Sequence, residues 1–308
     1  MHSVLSMKIL VVGAGAVGGY LGGRLVQAGR DVTFLVRPGR RRLLRERGLR
    51  IVGLGEETTL HPYTITANEI AQPFDLILLA VKANALRAAI DDFAPAVGPD
   101  TLILPVLNGM RHIDVLAERF GDPRVLGGVV LVNTTVDANG DVRRLGDVQS
   151  LTYGAREGLA PDRLVGTLGD AGFATCQSAD IVAEMWAKWV FIAATGAVTC
   201  LMRGTIGEVA STPGGAEFAE AVLDECASVA EAAGHPVPKE VLENTRQTVT
   251  ATPSPMTSSA YRDLVCDRPV EVEEIFGDLA RRARELGVPV PLLDLVTLNL
   301  RVYQGRQA

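Results

Sequence analysis

Lys8-Ile9-Leu10-Val11-Val12 runs directly into Gly13-Ala14-Gly15-Ala16-Val17-Gly18 and on through Gly19-Tyr20-Leu21-Gly22-Gly23-Arg24-Leu25, and this stretch decides how the N-terminal half folds. An unbroken apolar run of this length suits a strand covered on both faces, as in a parallel sheet. Gly-x-Gly-x-x-Gly between such a strand and a helix is the arrangement that gives the glycines a purpose. Gly13 permits the tight turn, Gly15 lets the backbone approach a pyrophosphate, and Gly18 lets the helix lie close to the strand. The amides of Ala16, Val17 and Gly18 then open a helix whose N-terminal dipole favours an anion. The reading is dinucleotide binding at Gly13, Gly15, Ala16, Val17 and Gly18.

The next strand, Asp31-Val36, ends in Arg37-Pro38-Gly39-Arg40-Arg41-Arg42. A carboxylate at that point would hold the ribose hydroxyls of NAD. An arginine instead offers charge-assisted hydrogen bonds to a 2′-phosphate, so Arg37 points to NADP. Arg40, Arg41 and Arg42 read as a solvated first helical turn.

Working outward, short Val/Ile/Leu runs alternate with helical patterns as far as about Cys176. The clearest strands besides the first two are Asp75-Val81 and Thr101-Leu107, with Arg124-Thr135, Val142-Leu145 and Ser150-Tyr153 expected to finish the same sheet. The βαβα alternation predicts an α/β Rossmann-type domain with a parallel sheet. After Asp180 helical periodicity takes over, through Ala216-Ala233, Lys239-Val249, Val272-Leu286 and Pro291-Tyr303. The expected organisation is an NADP-binding Rossmann domain over 1–179 and an all-α C-terminal domain over 180–308. No repeat is apparent.

The whole-chain properties narrow the class. A chain of 308 residues, 47% hydrophobic and carrying a formal charge of −6, can bury a large core and is poorly suited to nucleic acid or an anionic membrane. The apolar run Trp189 to Met202 is shorter than a membrane span and reads as a buried helix. Four scattered cysteines and four scattered histidines show no metal-ligand spacing, so no metal is expected. The cysteine usage and the opening residues, Met1-His2-Ser3-Val4-Leu5-Ser6, predict a cytoplasmic protein with no signal peptide.

Two further residues end apolar strands on the sheet edge where open α/β sheets bind ligands: Lys82 after Asp75-Val81, and Asn108 after Thr101-Leu107. Alone, each reads as a surface or turn residue; together they mark a cleft. At this point the chain resembles the ketopantoate reductase (2-dehydropantoate 2-reductase) family. The likeness rests on the Gly-rich loop, Arg37, Val81-Lys82-Ala83, Asn108-Gly109-Met110, Trp186-Ala187-Lys188, Gly207-Glu208, Ser258-Ser259 and the Glu271 region. The resemblance implies reduction of a 2-oxo acid with NADPH. It implies Lys188 as the catalytic acid, Glu271 as a carboxylate beside the lysine and the cofactor, and Ser259 as a partner of the substrate carboxylate. Asn108 would stand between cofactor and substrate, and Lys82 would line the cofactor cleft. Read without it, Lys188 is a helix-surface lysine, Ser259 a helix-start residue and Glu271 a first-turn carboxylate.

The chain also departs from that pattern. The resemblance implies asparagines four and eight residues after the lysine, but Ile192 and Gly196 stand there, and Ile206 replaces a third. Thr195 returns to the face of Lys188 and is a candidate for substrate binding, against packing with a local backbone hydrogen bond. Arg203 is a candidate for the substrate carboxylate, against a solvated arginine over the helix end. The losses favour a substrate with a more apolar tail. Another hydroxyacid dehydrogenase and a non-catalytic NADPH-binding regulator stay open. A homodimer through the apolar C-terminal helices is plausible.

Overall fold

The computed structural model describes residues 7–306. They form two compact units, residues 7–107 with 112–181, and residues 108–111 with 182–306. The tetrapeptide 108–111 therefore packs with the second unit although elements of the first flank it in the chain.

The first unit contains β1 (Lys8–Val12), α1 (Ala16–Gln27), β2 (Asp31–Leu35), α2 (Pro38–Arg47), β3 (Leu49–Gly53), β4 (Glu56–Leu60) and β5 (Tyr63–Ile65). It continues with β6 (Phe74–Leu79), α3 (Leu86–Phe93), β7 (Val97–Pro105), α4 (Arg111–Phe120), β8 (Gly127–Val136), β9 (Val142–Gly154), α5 (Arg163–Leu168) and β10 (Ala174–Gln177). Its main sheet is parallel, in the order β5-β2-β1-β6-β7. Ile9, Leu10, Val11, Phe34, Leu76, Ile77, Leu78, Ile103 and Leu104 are fully enclosed within it. A Rossmann-type parallel sheet is thus present.

The later strands do not finish that sheet. β8 and β9 form a long antiparallel pair in a second sheet, ordered β10-β9-β3-β4 with β8 on β9. The reason is visible in their pattern. β9 alternates buried and exposed residues along Val142–Leu145 and is largely polar to Ser150, which suits a sheet with one wet face rather than a doubly covered one. β3 and β4 meet at the two-residue turn Leu54-Gly55, both with positive φ, the geometry that matches strand twist in a tight hairpin.

Helix α1 lies between the two sheets, and its glycines make that possible. A Cβ on Gly22 would fall 2.5 Å from the Phe34 ring, and one on Gly18 2.9 Å from Ala80 Cβ, both toward the parallel sheet. On the opposite side, a Cβ on Gly19 would meet Val142 at 2.8 Å and one on Gly23 would meet Ile51 at 2.9 Å. Close-packed interiors leave no slack for these atoms, so the run of small residues fixes the spacing of both sheets from one helix.

The second unit is helical: α6 (Ile181–Met202, beginning at the junction), α7 (Ile206–Ala210), α8 (Gly215–Ala232), α9 (Lys239–Val249), α10 (Ser259–Val265), α11 (Asp278–Leu286, entered through a π turn at Glu273–Gly277) and α12 (Pro291–Gly305). Helix α6 buries Trp189, Val190, Ala193, Ala197 and Val198, with the Phe276 ring against Gly196. At 22 residues it exceeds its apolar run and is long and apolar enough to cross a membrane. Two-thirds of its most apolar window is buried in the protein, as for a core helix. The Glu225 carboxylate accepts from the amides of Leu292 and Leu293, at 3.0 and 2.9 Å, and so caps α12 where orphan N–H groups and the dipole both favour an anion.

Candidate active site

In the first unit the site is built from backbone. Gly13 has φ +97°, a conformation other residues rarely adopt. A Cβ on Gly18 would lie 2.0 Å from the Gly13 carbonyl, so loop and helix are pressed together. Gly15 is the opposite case. It caps α1 in extended conformation with no side-chain cap, and a Cβ there would meet nothing within 4 Å. The space in front of the Ala16 and Val17 amides is open, and a pyrophosphate fits such a cradle. Because β1, β2 and β6 run parallel, their carboxyl ends share one edge, and Gly13, Arg37 and Lys82 follow them there.

Arg37 is exposed, as the N-cap residue of α2, and Lys82 is exposed ahead of a short 3₁₀ turn. Of the three arginines after Gly39, Arg42 is exposed but the first two are committed to partners. Arg40 donates to the carbonyls of Ala14 at 3.0 Å and Gly140 at 2.7 Å, bracing the Gly-rich loop. Arg41 forms a forked pair with Glu69 at 2.6 and 2.9 Å. The periodicity of a first helical turn carries no sign of these long-range acceptors.

In the second unit the site is built from side chains. Lys188 is half-buried on α6. Burial lowers its pKa to about 8, while the negative charge of Glu271 works to raise it. The Asn108 amide donates to the Glu271 carboxylate at 3.1 Å. Asn108 reaches it because Gly109, at φ +75°, lies so close to the π turn that a Cβ there would stand 2.2 Å from the Glu274 carbonyl. Lysine, glutamate and asparagine, far apart in sequence, are thus gathered around one ammonium.

The remaining candidates divide. Ser259 is exposed in the first turn of α10. Its neighbour Ser258 is the N-cap; Ser258 Oγ accepts from the Tyr261 amide at 3.0 Å and lies 2.8 Å from Thr199 Oγ1. Thr195 is 2% exposed, and its hydroxyl donates to the Phe191 carbonyl at 2.8 Å. The packing reading therefore describes it, and its hydrogen is spent within the helix. Arg203 is already partnered. It follows α6 in left-handed conformation and donates to Asn299 Oδ1 at 2.9 Å.

Among the described residues no cluster of three or more His, Cys, Asp or Glu is placed to hold a metal, and all four cysteines are free thiols.

The comparisons with known proteins meet this geometry at both ends. The model described as "Ketopantoate reductase PanE/ApbA" matches residues 9–158, and its C-terminal counterpart matches residues 180–304. The chain belongs to the ketopantoate reductase family. The relatives of this oxidoreductase family include "Uncharacterized oxidoreductase YkpB" of Bacillus subtilis (strain 168), 32% identical over 98% of this chain and all of that protein. A 2-dehydropantoate 2-reductase of Halobacterium salinarum is 30% identical over 96% of this chain and 99% of its own length. Among solved structures, a PanE/ApbA family ketopantoate reductase from Ralstonia eutropha JMP134 aligns with TM-score 0.88 at 28% identity, covering 98% of this chain and 99% of that one.

Three features beside Lys188 and Glu271 escaped the sequence reading. Trp189, next to the lysine, donates its indole N–H to the Ile275 carbonyl at 2.9 Å. Phe276 is fully buried with its ring against Gly196, where a Cβ would stand 2.8 Å away. The π turn carries both Ile275 and Phe276. An apolar run at helical spacing announces none of this; only Gly196, an interruption in a long helix, hinted at a close neighbour.

Proposed function

We propose that the protein reduces a 2-oxo acid to a 2-hydroxy acid with NADPH, 2-dehydropantoate to pantoate being the reference reaction, and so serves pantothenate biosynthesis in the cytoplasm. The single observation that carries this reading is Lys188 beside Glu271 and Asn108, with a pKa of about 8. When bound, the reduced nicotinamide supplies a hydride to the ketone carbon. The Lys188 ammonium stabilises the charge that develops on the ketone oxygen and delivers a proton to it. Glu271 keeps the ammonium charged and oriented, and Asn108 holds Glu271. The α1 amides and Gly15 suit the pyrophosphate, Lys82 the same cleft, and Arg37 a 2′-phosphate, with no carboxylate at the end of β2 to repel it. Ser259, exposed at the start of α10, is the remaining candidate for the substrate carboxylate. The test is NADPH oxidation over a panel of 2-oxo acids that includes ketopantoate. Tight NADPH binding without turnover of any of them would make the protein a cofactor-binding regulator instead.

One observation favours a second substrate reading. Phe276 lies on Gly196, and Ile192 precedes it by one turn. The lysine helix therefore offers apolar surface where amides would discriminate by hydrogen bonding. A 2-oxo acid or ketone with a more apolar tail than ketopantoate then has the higher kcat/KM, and a wide margin for ketopantoate would refute it. A homodimer through the helical unit is supported by Leu295, Leu298 and Val302, which are 50 to 60% exposed along one face of α12; light scattering tests it.

A further inference from the structure

The π turn has a physical cost and a cause. One extra residue per turn is poorer in hydrogen-bond geometry than an α-helix, and such turns persist where something else holds them. Here the holders converge from three sides. Trp189, 1% exposed, donates its indole N–H to the Ile275 carbonyl. Arg301 of α12 forks onto Glu273 at 2.7 Å through both nitrogens. The Glu274 carbonyl rests on Gly109. The indole is itself fixed, packed at a tilt of 42° with its centroid 5.0 Å from that of Trp186 and lying 5.7 Å beneath the Arg282 guanidinium, which Asp278 holds at 3.0 Å.

The consequence falls on Glu271. The Ile275 amide donates to the Glu271 carbonyl at 3.1 Å, so the residue gripped by Trp189 is hydrogen-bonded back to the residue that faces Lys188. An inserted residue turns the chain before it by about 100° relative to the helix after it. Helix α11 can then bury Leu279, Ala280 and Ala283 while Glu271 faces the lysine rather than following the phase of α11.

We infer that Trp189 is a positioning residue: through the hydrogen bond to Ile275 it holds the π turn in the register that sets the Glu271 carboxylate against Lys188. The inference rests on the reading of Lys188 as proton donor, but its test does not need turnover. The chain has only four lysines, Lys8, Lys82, Lys188 and Lys239, so lysine labelled with ¹³C at Cε gives few signals. Lys188 is identified as the one lost in Lys188→Arg. Its titration is followed in the full-length protein, in Glu271→Gln, in a Trp189 variant, and in the two combined. The Trp189 variant is Trp189→Phe or, if that fails to fold, benzothienylalanine at 189, which keeps the indole shape and lacks only the N–H.

A carboxylate beside an ammonium favours the charged form, so drawing Glu271 away lowers the Lys188 midpoint. The expected shift is about half a pH unit or more downward for the Trp189 variant, larger for Glu271→Gln. The Trp189 change adds nothing once Glu271 is neutral, because both act through one carboxylate. An unmoved midpoint in the Trp189 variant, or an equal extra shift on top of Glu271→Gln, would overturn the inference. A merely structural tryptophan would lower Tm and leave the titration alone. Failure of every 2-oxo acid to oxidise NADPH, with the titrations as expected, would sink the proposed reaction and spare the positioning role.

Discussion

On the proposed function, the two units hold a ligand in opposite ways. In the first, the chemistry is backbone amides at the end of a glycine-rich turn, and the side chains are there chiefly to be absent. In the second, the chemistry is three side chains drawn from Asn108, Lys188 and Glu271, and the backbone is bent into a π turn to bring them together. A backbone site is damaged by adding atoms and a side-chain site by removing them. That difference can be tested at single positions.

The largest effect is expected in the second unit. Lys188→Ala should lower kcat about 10²–10⁴-fold, the usual range for general acid catalysis, with NADPH affinity little changed by calorimetry. Lys188→Arg should restore only part of this, since a guanidinium is a poor proton donor near neutrality. The pH dependence follows from the same group. Burial depresses the ammonium from the ordinary 10.5 to about 8, and only the protonated form can donate. Turnover should therefore be flat on the acid side and fall as pH rises through about 8; a limb that persists to pH 10 would remove Lys188 from the role. The stability sign is the reverse. The unfolded chain binds more protons than the folded one between those values, so the burial cost is complete below pH 8 and is relieved as pH rises toward 10.5.

The first unit should respond to a single added methyl group, and differently at two neighbouring glycines. Gly18→Ala forces a Cβ to within 2.0 Å of the Gly13 carbonyl, so α1 must shift between its two sheets. Destabilisation of about 1–3 kcal/mol or more is expected from thermal melts, as for an overpacked core. Gly15→Ala meets no protein atom and sits in an extended conformation open to alanine. Its Tm should match the parent while NADPH binding is lost. Equal Tm losses in the two variants would mean that Gly15 is packing rather than cradle.

How much could be read beforehand follows the same division. The strand–turn–helix, Gly13, Gly15 and Gly18 were legible because a fixed backbone geometry demands a fixed residue type. The further glycines at 19, 22 and 23 were not assigned, since their partners lie on β2, β3 and β9, and the second sheet itself was missed. That sheet joins β3 to β9 across about ninety residues, a pairing that local alternation cannot reveal. In the helical unit, the positions of α8, α9 and α12, and the span 272–286, were legible from period alone. The π turn was not, because an inserted residue leaves the apolar pattern almost intact and is stabilised by Trp189, Arg301 and Gly109 from elsewhere.

A smaller effect is expected from Arg37, the one side chain on which the first unit's choice of cofactor rests. Arg37→Ala should weaken NADPH binding by about 1–3 kcal/mol, the scale of a charge-assisted contact, and leave NADH almost untouched. Arg41 is committed to Glu69, so it should not substitute. Equal affinity of the parent protein for the two nucleotides would remove the assignment.

The smallest effect sharpens the limit of the side-chain site. Arg203 looked attractive as a basic residue closing the segment that starts at Lys188, with no acidic neighbour in sequence. The structure supplies a neutral partner, Asn299, at 2.9 Å. A forked carboxylate contact would require the guanidinium to leave Asn299. Arg203→Ala should therefore leave KM for every accepted 2-oxo acid unchanged. Arg203→Gly should be neutral or slightly stabilising, because residue 203 has φ +57° and glycine adopts that conformation without the strain of a side chain. A rise in KM confined to the substrate acid, with Tm and NADPH affinity constant, would put Arg203 back in the site and require the helical unit to rearrange when substrate binds.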